Sequence, residues 1–472
     1  MPRRVHVGRG GVLLMRPLLA HSSASADPQT RRHRRSVQPK VLLVVKPTMR
    51  VSQYPSVVGL AILFLSFTVA ADSLAQPDPN RALGKVPLPE LKKLAKSGKG
   101  AARAELGERY LFGIDVKDDL KEARRWFLLA AEAGAGRAME RLGGMDRDGL
   151  AGERDYGRAM TWYRKAADHG EPAALASIGW MHYHGLGVKQ NYQEAVRYYR
   201  LAAEKGSAEG MNNLGHVYRH GHGVEKNLAK AAEWFRRGAK KKNVWAIANL
   251  ADLYLRGEGV ERDPAEGLKL LRQAADMGHT PAMVELGQLY LVGIGTDKDM
   301  AEALAWSRKA AEKGNAGGMR QVGFIYARGL GVPEDAAEAF RWYERAMVAG
   351  HPEAPLDVFG FYLTGQGVRR DPAKAVAVLK EAAAADNVLA MRVLGHLYYE
   401  GKHLDKDYAA ALKWYRKAVD LGDTSSMLSL AAMYGQGQGV ERDERISLDW
   451  IRRAADRGDK EAKEILRKRG KK

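Results

Sequence analysis

An all-α array of ten two-helix repeats is the fold this 472-residue sequence predicts, and three observations predict it. A 36-residue period runs without insertion from residue 98 to the C-terminus: Gly98, Gly134, Gly170, Gly206, Gly278, Gly314, Gly350, Gly422 and Gly458 are in phase, with Lys242 and Asp386 in the two remaining places. Within each unit, apolar and small residues recur at steps of three and four, the spacing of one helix face. Glycine reaches 51 residues against 17 prolines and cysteine is absent, so Gly punctuates between helices, and disulfide, thiolate and Cys-zinc chemistry are closed to the chain. A hydrophobic fraction of 45% and a charged fraction of 28% exclude wholesale disorder, collagen and a multi-span membrane protein.

Residues 1–48 carry ten Lys/Arg against Asp27 alone, so +9 of the net +20 lies there. The stretch is unpatterned, with Arg31-Arg32-His33-Arg34-Arg35 at its centre, and is too long for an ordinary signal n-region. It is read as a mis-assigned extension, with translation starting at Met49. Residues 49–75 have the parts of a signal peptide: a short basic start, an apolar run from Val57 to Ala71, then small residues. Cleavage after Ala71 or Ala75 fits the small-x-small rule. The apolar run reaches only ~22 Å as a helix, short of the ~30 Å hydrocarbon core, which favours a cleaved signal over the alternative of a retained anchor. Residues 76–88, with Pro77, Pro79 and Pro87, read as a linker, and residues 89–98 as an N-terminal capping helix.

The repeats fill residues 99–458, the first being 99–134 and the tenth 423–458. The first helix of each is typified by Ala282 to Tyr290, closed by Gly293-x-Gly295. The second starts at a column of cap residues, Asp119, Asp155, Asn191, Asn227 and their equivalents to Asp443, whose side-chain oxygens suit orphan backbone N–H groups. Pro264 and Pro372 follow at the first helical position. Glu122, Glu194, Glu266, Glu302 and Glu338, three residues after the cap, predict a reciprocal capping box. A small-residue column (Ala102, Ala138, Ala174, Gly210 and equivalents) predicts close helix contact, and a neighbouring Met column predicts core packing. The tryptophan column, Trp126, Trp162, Trp234, Trp306, Trp342, Trp414 and Trp450, is expected to be buried, so that Trp162→Ala should open a cavity.

Together these residues read small-x3-Leu-Gly-x2-Tyr-x2-Gly-x-Gly-Val, then Ala-x2-Trp-Tyr/Phe-x2-Ala-Ala-x2-Gly. The pattern resembles the Sel-one-like repeat family, relatives of the tetratricopeptide repeats, over residues 99–458. The resemblance implies a right-handed α/α superhelical solenoid whose members act as adaptors and scaffolds, many exported in bacteria, rather than as enzymes. Departures are local: Asp115 and Ala151 replace the second loop glycine in the first two repeats, Val358-Phe359 replaces Leu-Gly in repeat 8, and His403 interrupts the loop of repeat 9. Residues 459–472 form a basic C-terminal capping helix with Lys463, Arg467, Lys468 and Arg469.

No P-loop, dinucleotide fingerprint, Gly-x-Ser-x-Gly, Ser-x2-Lys or His-Glu-x2-His occurs, so no catalytic residue and no cofactor are assigned. From Gln76 onward, 65 Lys+Arg face 54 Asp+Glu, a mixed surface that argues against nucleic acid as a partner. His182, His184, His216, His220 and His222 are close in sequence. Without an evident supporting carboxylate they are read as groove and loop residues, and no metal is assigned.

What remains on the first helix after the core columns is an i, i+3, i+7 face that differs between repeats, and by the resemblance it lines a concave groove. Its assigned partner-binding residues are Ser177, Trp180 and His184; Asn213, His216 and His220; Asn249, Asp252 and Arg256; Gln288; and Phe324 and Arg328. Glu285, Val292 and Gln321 share the face. Trp180 and Phe324, aromatics among polar neighbours, are the candidate anchors. The function expected is a periplasmic or secreted monomeric adaptor, meeting the membrane only during export, that binds a protein of an envelope complex or a sensor domain. Two alternatives stay open: a polysaccharide- or peptidoglycan-binding scaffold, and a hydrolase with a dispersed groove site.

Overall fold

The computed structural model describes residues 83–469, all within the unit Met49–Lys472. The stretches read from sequence as an extension (1–48), a signal peptide (49–75) and, up to residue 82, a linker lie outside the described residues. Among the described residues every regular element is a helix, 22 in all. Leu88–Lys96 precedes the repeats and Lys460–Arg469 follows them; between them the ten repeats contribute two helices each, from Gly100–Phe112 and Leu120–Glu132 to Thr424–Gln436 and Glu444–Asp456. Each first helix packs on its own second helix and on the second helix of the preceding repeat. None is long and apolar enough to cross a membrane.

The ends of the helices follow the sequence closely. Asp119, Asn191, Asp263 and their equivalents accept hydrogen bonds from the N–H groups two or three residues on. The predicted return arm of the capping box does not form. The cap N–H is taken instead by a first-helix carbonyl, as in Asp119 N to Tyr110 O at 2.9 Å and Asp299 N to Tyr290 O at 3.0 Å, so Glu has no donor to reach back to. The glutamates turn outward to Arg197 and Arg341, three residues on, or to the indole N–H of Trp306 at 2.9 Å and Trp342 at 2.7 Å. The glycine after each second helix is left-handed, and where it is replaced the backbone does not change: Lys242 has φ 61° and Asp386 φ 60°. Asp115, Ala151 and His403 hold the same region in place of the second loop glycine. That glycine has a second duty that period alone does not reveal. A β-carbon on Gly223, Gly259 or Gly367 would strike the backbone at the start of the preceding repeat's second helix, so the loop is also an inter-repeat contact.

The core corrects the tryptophan expectation. Of that column only Trp306 is buried; Trp126, Trp162, Trp234, Trp342, Trp414 and Trp450 are half-buried. Lys or Arg three residues on covers the outer ring face in most of them, as Arg237 does 4.6 Å from the Trp234 centroid and Arg345 4.0 Å from that of Trp342. The buried column is one residue later: Phe127, Tyr163, Tyr199, Phe235, Leu271, Ser307, Tyr343, Leu379, Tyr415 and Ile451. The physical reason is the glycine of the Leu-Gly pair. A β-carbon on Gly143 would stand 2.6 Å from the Tyr163 ring, and one on Gly395 2.6 Å from that of Tyr415, so only a residue without a side chain lets the ring close on the first helix. Wherever the second helix brings Phe or Tyr, the first helix has Gly opposite. Where it brings Leu or Ile, the partner is Ala251, Phe359 or Ala431. The small column is buried throughout, and so are Met139, Met211, Met283, Met319, Met391 and Met427, as expected.

Between repeats, Arg200 donates to the Tyr218 hydroxyl at 3.2 Å, Arg236 to Tyr254 at 3.4 Å and Arg416 to Tyr434 at 2.9 Å, tying each second helix to the next first helix. At the N-terminal end, the buried Arg109 donates to the carbonyl oxygens of Gly84 at 3.2 Å and Val86 at 2.5 Å and pairs with Asp115 at 2.9 Å. Residues 83–87, the end of the linker stretch, are thereby fastened to repeat 1. First helices of repeats 3 and 4, 4 and 5, 6 and 7, and 8 and 9 also approach one another directly, whereas no pair of second helices does so to that degree. The first helices therefore share the more closely packed face of the stack.

Candidate functional site

The i, i+3, i+7 columns do face together along the first helices, but much of their polar chemistry is spent between neighbouring repeats. Ser177 Oγ donates to Glu140 at 3.5 Å and Asn249 Nδ2 to Asn212 at 2.9 Å, while within one helix Asn212 Nδ2 donates to Asn213 at 3.4 Å. The Gln321 amide lies 2.8 Å from Ser307 Oγ and is bonded to Gln288. Asp252 accepts from Arg256 Nε at 2.5 Å and from Arg219, which also reaches Glu258 at 3.0 Å. Farther along, Arg320 bridges two repeats through Glu353 and Asp357, both at 2.5 Å. Glu140, Asn212, Arg219 and Arg320 were not singled out from sequence. They sit one place to the side of the assigned columns, and only the offset between stacked helices brings them in.

The two candidate anchors differ. Trp180 is half-buried between Arg147, whose guanidinium lies 5.2 Å from its ring centroid, and His184 at 4.5 Å. Phe324 keeps 43% of its surface exposed, and no other Phe, Tyr or Trp among the described residues is as open. Arg328, one turn on, is exposed as well. Trp180 thus reads as part of a wall, and Phe324 as a free surface.

Around repeats 3 and 4 the histidines join a run of rings. His184 lies 4.8 Å from Tyr183, Tyr183 Oη is 2.6 Å from His222 Nδ1, His222 stacks on Tyr192 at 5.1 Å and on His220 at 5.6 Å, and His220 is 4.5 Å from His216. Burial lowers His216 to about 3, helped by the positive potential of His220, Arg219, His222 and His184. His184 and His220 are lowered by burial too, so these rings are neutral at pH 7 and pack as aromatics. Among the described residues no three His, Asp or Glu side chains converge as a metal site. Two open cavities, of about 280 Å³ beside Arg124, Arg154 and Arg158 and about 420 Å³ beside Arg197, Arg200 and Val224, contain none of the assigned groove residues.

Comparison with known proteins fits this architecture. The Sel1 repeat model matches ten times, at residues 100–134, 136–171, 172–207, 208–243, 246–279, 280–315, 316–347, 360–387, 388–423 and 424–459. The gap at 348–359 falls on the start of repeat 8's first helix, Ala354–Thr364, which has 11 residues where the other repeats have 13. The chain is similar to the protective antigen c5321 of uropathogenic Escherichia coli, which displays an SLR fold: 32% identity over 82% of this chain and 91% of that one, with a TM-score of 0.37. It is similar to a Sel1 repeat protein from Oxalobacter formigenes at 31% identity, over 52% of this chain and 96% of that one, TM-score 0.45. Immunity protein Pa5087 from Pseudomonas aeruginosa is 19% identical over 45% of this chain and 81% of its own, TM-score 0.35. Among curated proteins the comparison finds no match. With ten matched repeats, the 36-residue period and a helix pair in each, this chain belongs to the Sel1 repeat family.

Proposed function

We propose that this protein is an exported, non-enzymatic scaffold that binds a protein partner along the face its first helices share, in the cell envelope. Sel1 repeats generally mediate protein–protein interaction, and the observation that carries the reading here is Phe324: a large apolar side chain left 43% exposed on a face whose other positions are mostly polar. The core, the caps and the loop glycines account for stability without it. An exposed aromatic one turn from the bonded pair Gln288 and Gln321 has the make-up of a binding anchor.

Phe324→Ala should therefore weaken capture of the partner from native envelope by about thirtyfold or more, the loss typical of an anchor, while leaving the melting temperature within a degree or two. Equal capture by the variant and the parent would remove the first-helix face as the binding site. Export supplies its own test, since the sequence of residues 49–75 is what supports it. The native mature protein should begin at Asp72 or Gln76, and recovery of native peptides from residues 1–48 would overturn both the start at Met49 and the cleaved signal.

A further inference from the structure

Charges on the first-helix face are mostly neutralised by close partners. Arg320 serves Asp357 at 2.5 Å, Arg392 serves Asp423 at 3.0 Å, and Lys402 and His396 flank Glu400 at 2.6 and 3.0 Å. Glu285, on the first helix of repeat 6 (Thr280–Val292), differs. Arg256 and Arg219 act on it through space, yet neither is hydrogen-bonded to it, and both are engaged by Asp252. Arg219 is shared between Asp252 and Glu258 and Arg256 pairs with Asp252, whereas no hydrogen bond or ion pair joins Glu285 to a described residue. Burial, reinforced by the charge of Asp252, pushes this carboxyl up to about 7, so near neutrality a close counter-charge, which no described residue supplies, would ionise it.

Two apolar side chains lie open on the same face. Gln288 lies one turn from both Glu285 and Val292, and it is bonded to Gln321, one turn from Phe324. Val292 is 40% exposed and Phe324 43%. One repeat farther on, Gly360 holds the position equivalent to Phe324, and a β-carbon there would meet nothing within 4 Å. A carboxyl lacking a close counter-ion thus borders an uncovered apolar shelf with free space at its far end.

We propose that this stretch of repeats 5 to 8 docks an extended protein segment bearing a Lys or Arg side chain, which pairs with Glu285, and a neighbouring apolar side chain, which lies on Val292 and Phe324. The proposal rests on the reading that partners bind the first-helix face and adds their chemistry. A cation placed there ionises the Glu285 carboxyl and gains a charge-assisted hydrogen bond in a site already shielded from water. An acidic or phosphorylated segment would meet Asp252 and Glu285 with like charge.

The test uses the purified protein and fluorescent peptide libraries of roughly nine residues, long enough when extended to cross neighbouring repeats. The central residue is fixed as Lys, Arg, norleucine or Glu, and the others are drawn from Ala, Leu, Phe and Ser. The Lys and Arg libraries should bind about tenfold tighter than the norleucine and Glu libraries, the range of one charge-assisted contact. Glu285→Gln should erase that preference while keeping the residual apolar binding and the melting temperature, because its amide replaces a carboxyl that holds no close partner. Phe324→Ala should weaken all libraries and retain the preference for a basic residue. Binding led by the Glu library, a basic preference that survives Glu285→Gln, or no binding by any library would overturn the inference. If Phe324→Ala abolishes partner capture while the basic preference is absent, only the chemistry of the partner is wrong; if capture survives Phe324→Ala, the face itself is wrong.

Discussion

Phe235→Ala should destabilise the array by about 3–5 kcal/mol, whereas Trp234→Ala, one residue earlier, should cost about half that. Phe235 is fully buried against the first helix of its own repeat, Ala208–His220, so its removal leaves a cavity walled by helix backbone that cannot collapse. Trp234 is half-buried, and its outer face is covered by Arg237, so its loss exposes a side chain more than it opens a void. Gly215 supplies an internal control. A β-carbon at Gly215 falls inside contact distance of the Phe235 ring, so Gly215→Ala alone should cost about 1–3 kcal/mol and should cost much less once Phe235 is already Ala. Urea unfolding followed by helical circular dichroism measures all four proteins. A Trp234→Ala variant less stable than Phe235→Ala, or an additive double variant, would restore the tryptophan column as the packing centre.

Deleting residues 243–278, one whole repeat, should leave a soluble helical array with about one-tenth less helical signal, because each repeat depends only on its neighbours. The contacts across the new junction explain why. Tyr290 would take the place of Tyr254 as acceptor for Arg236, and Gly295 would replace Gly259 against the start of Leu228–Lys240. His279, which caps Ala282 N at 3.2 Å, would stand where Asn243 caps Ala246 N at 2.9 Å. Removing only 261–278 instead takes out the second helix Pro264–Asp276 and sets two first helices in succession, so Ala251 loses the packing of Leu271 and Tyr290 loses the tie from Arg272. That variant should lose most of its helical signal or aggregate. Equal unfolding of the two deletions would mean that the array is stabilised by contacts beyond nearest neighbours.

The sequence by itself determined whatever acts within one turn of chain. A cap needs a side-chain oxygen two or three residues before its N–H, and a left-handed turn favours Gly, so Asp119, Asn191 or Gly134 could be placed without coordinates; even Lys242 and Asp386 keep the turn their column demands. The 36-residue period likewise fixed the helix pairing and the buried small and Met columns. Choosing between Trp and the following Phe or Tyr as the core residue needed the tertiary structure, because both lie on the apolar side of one helix and only the Gly opposite decides which ring closes. That signal was present in the sequence as a pairing of Gly with aromatic residues some twenty positions apart, legible only once the two helices are known to face each other there. The face shared by the first helices was legible as columns, but not its accounting. Whether Asp252 is paired, Glu285 lacks a close partner, Trp180 is covered or Phe324 is open depends on the offset between stacked helices, and on how far each side chain reaches across it. Hydrogen bonding and burial between repeats are set by distances in space, and a one-dimensional period carries no measure of them.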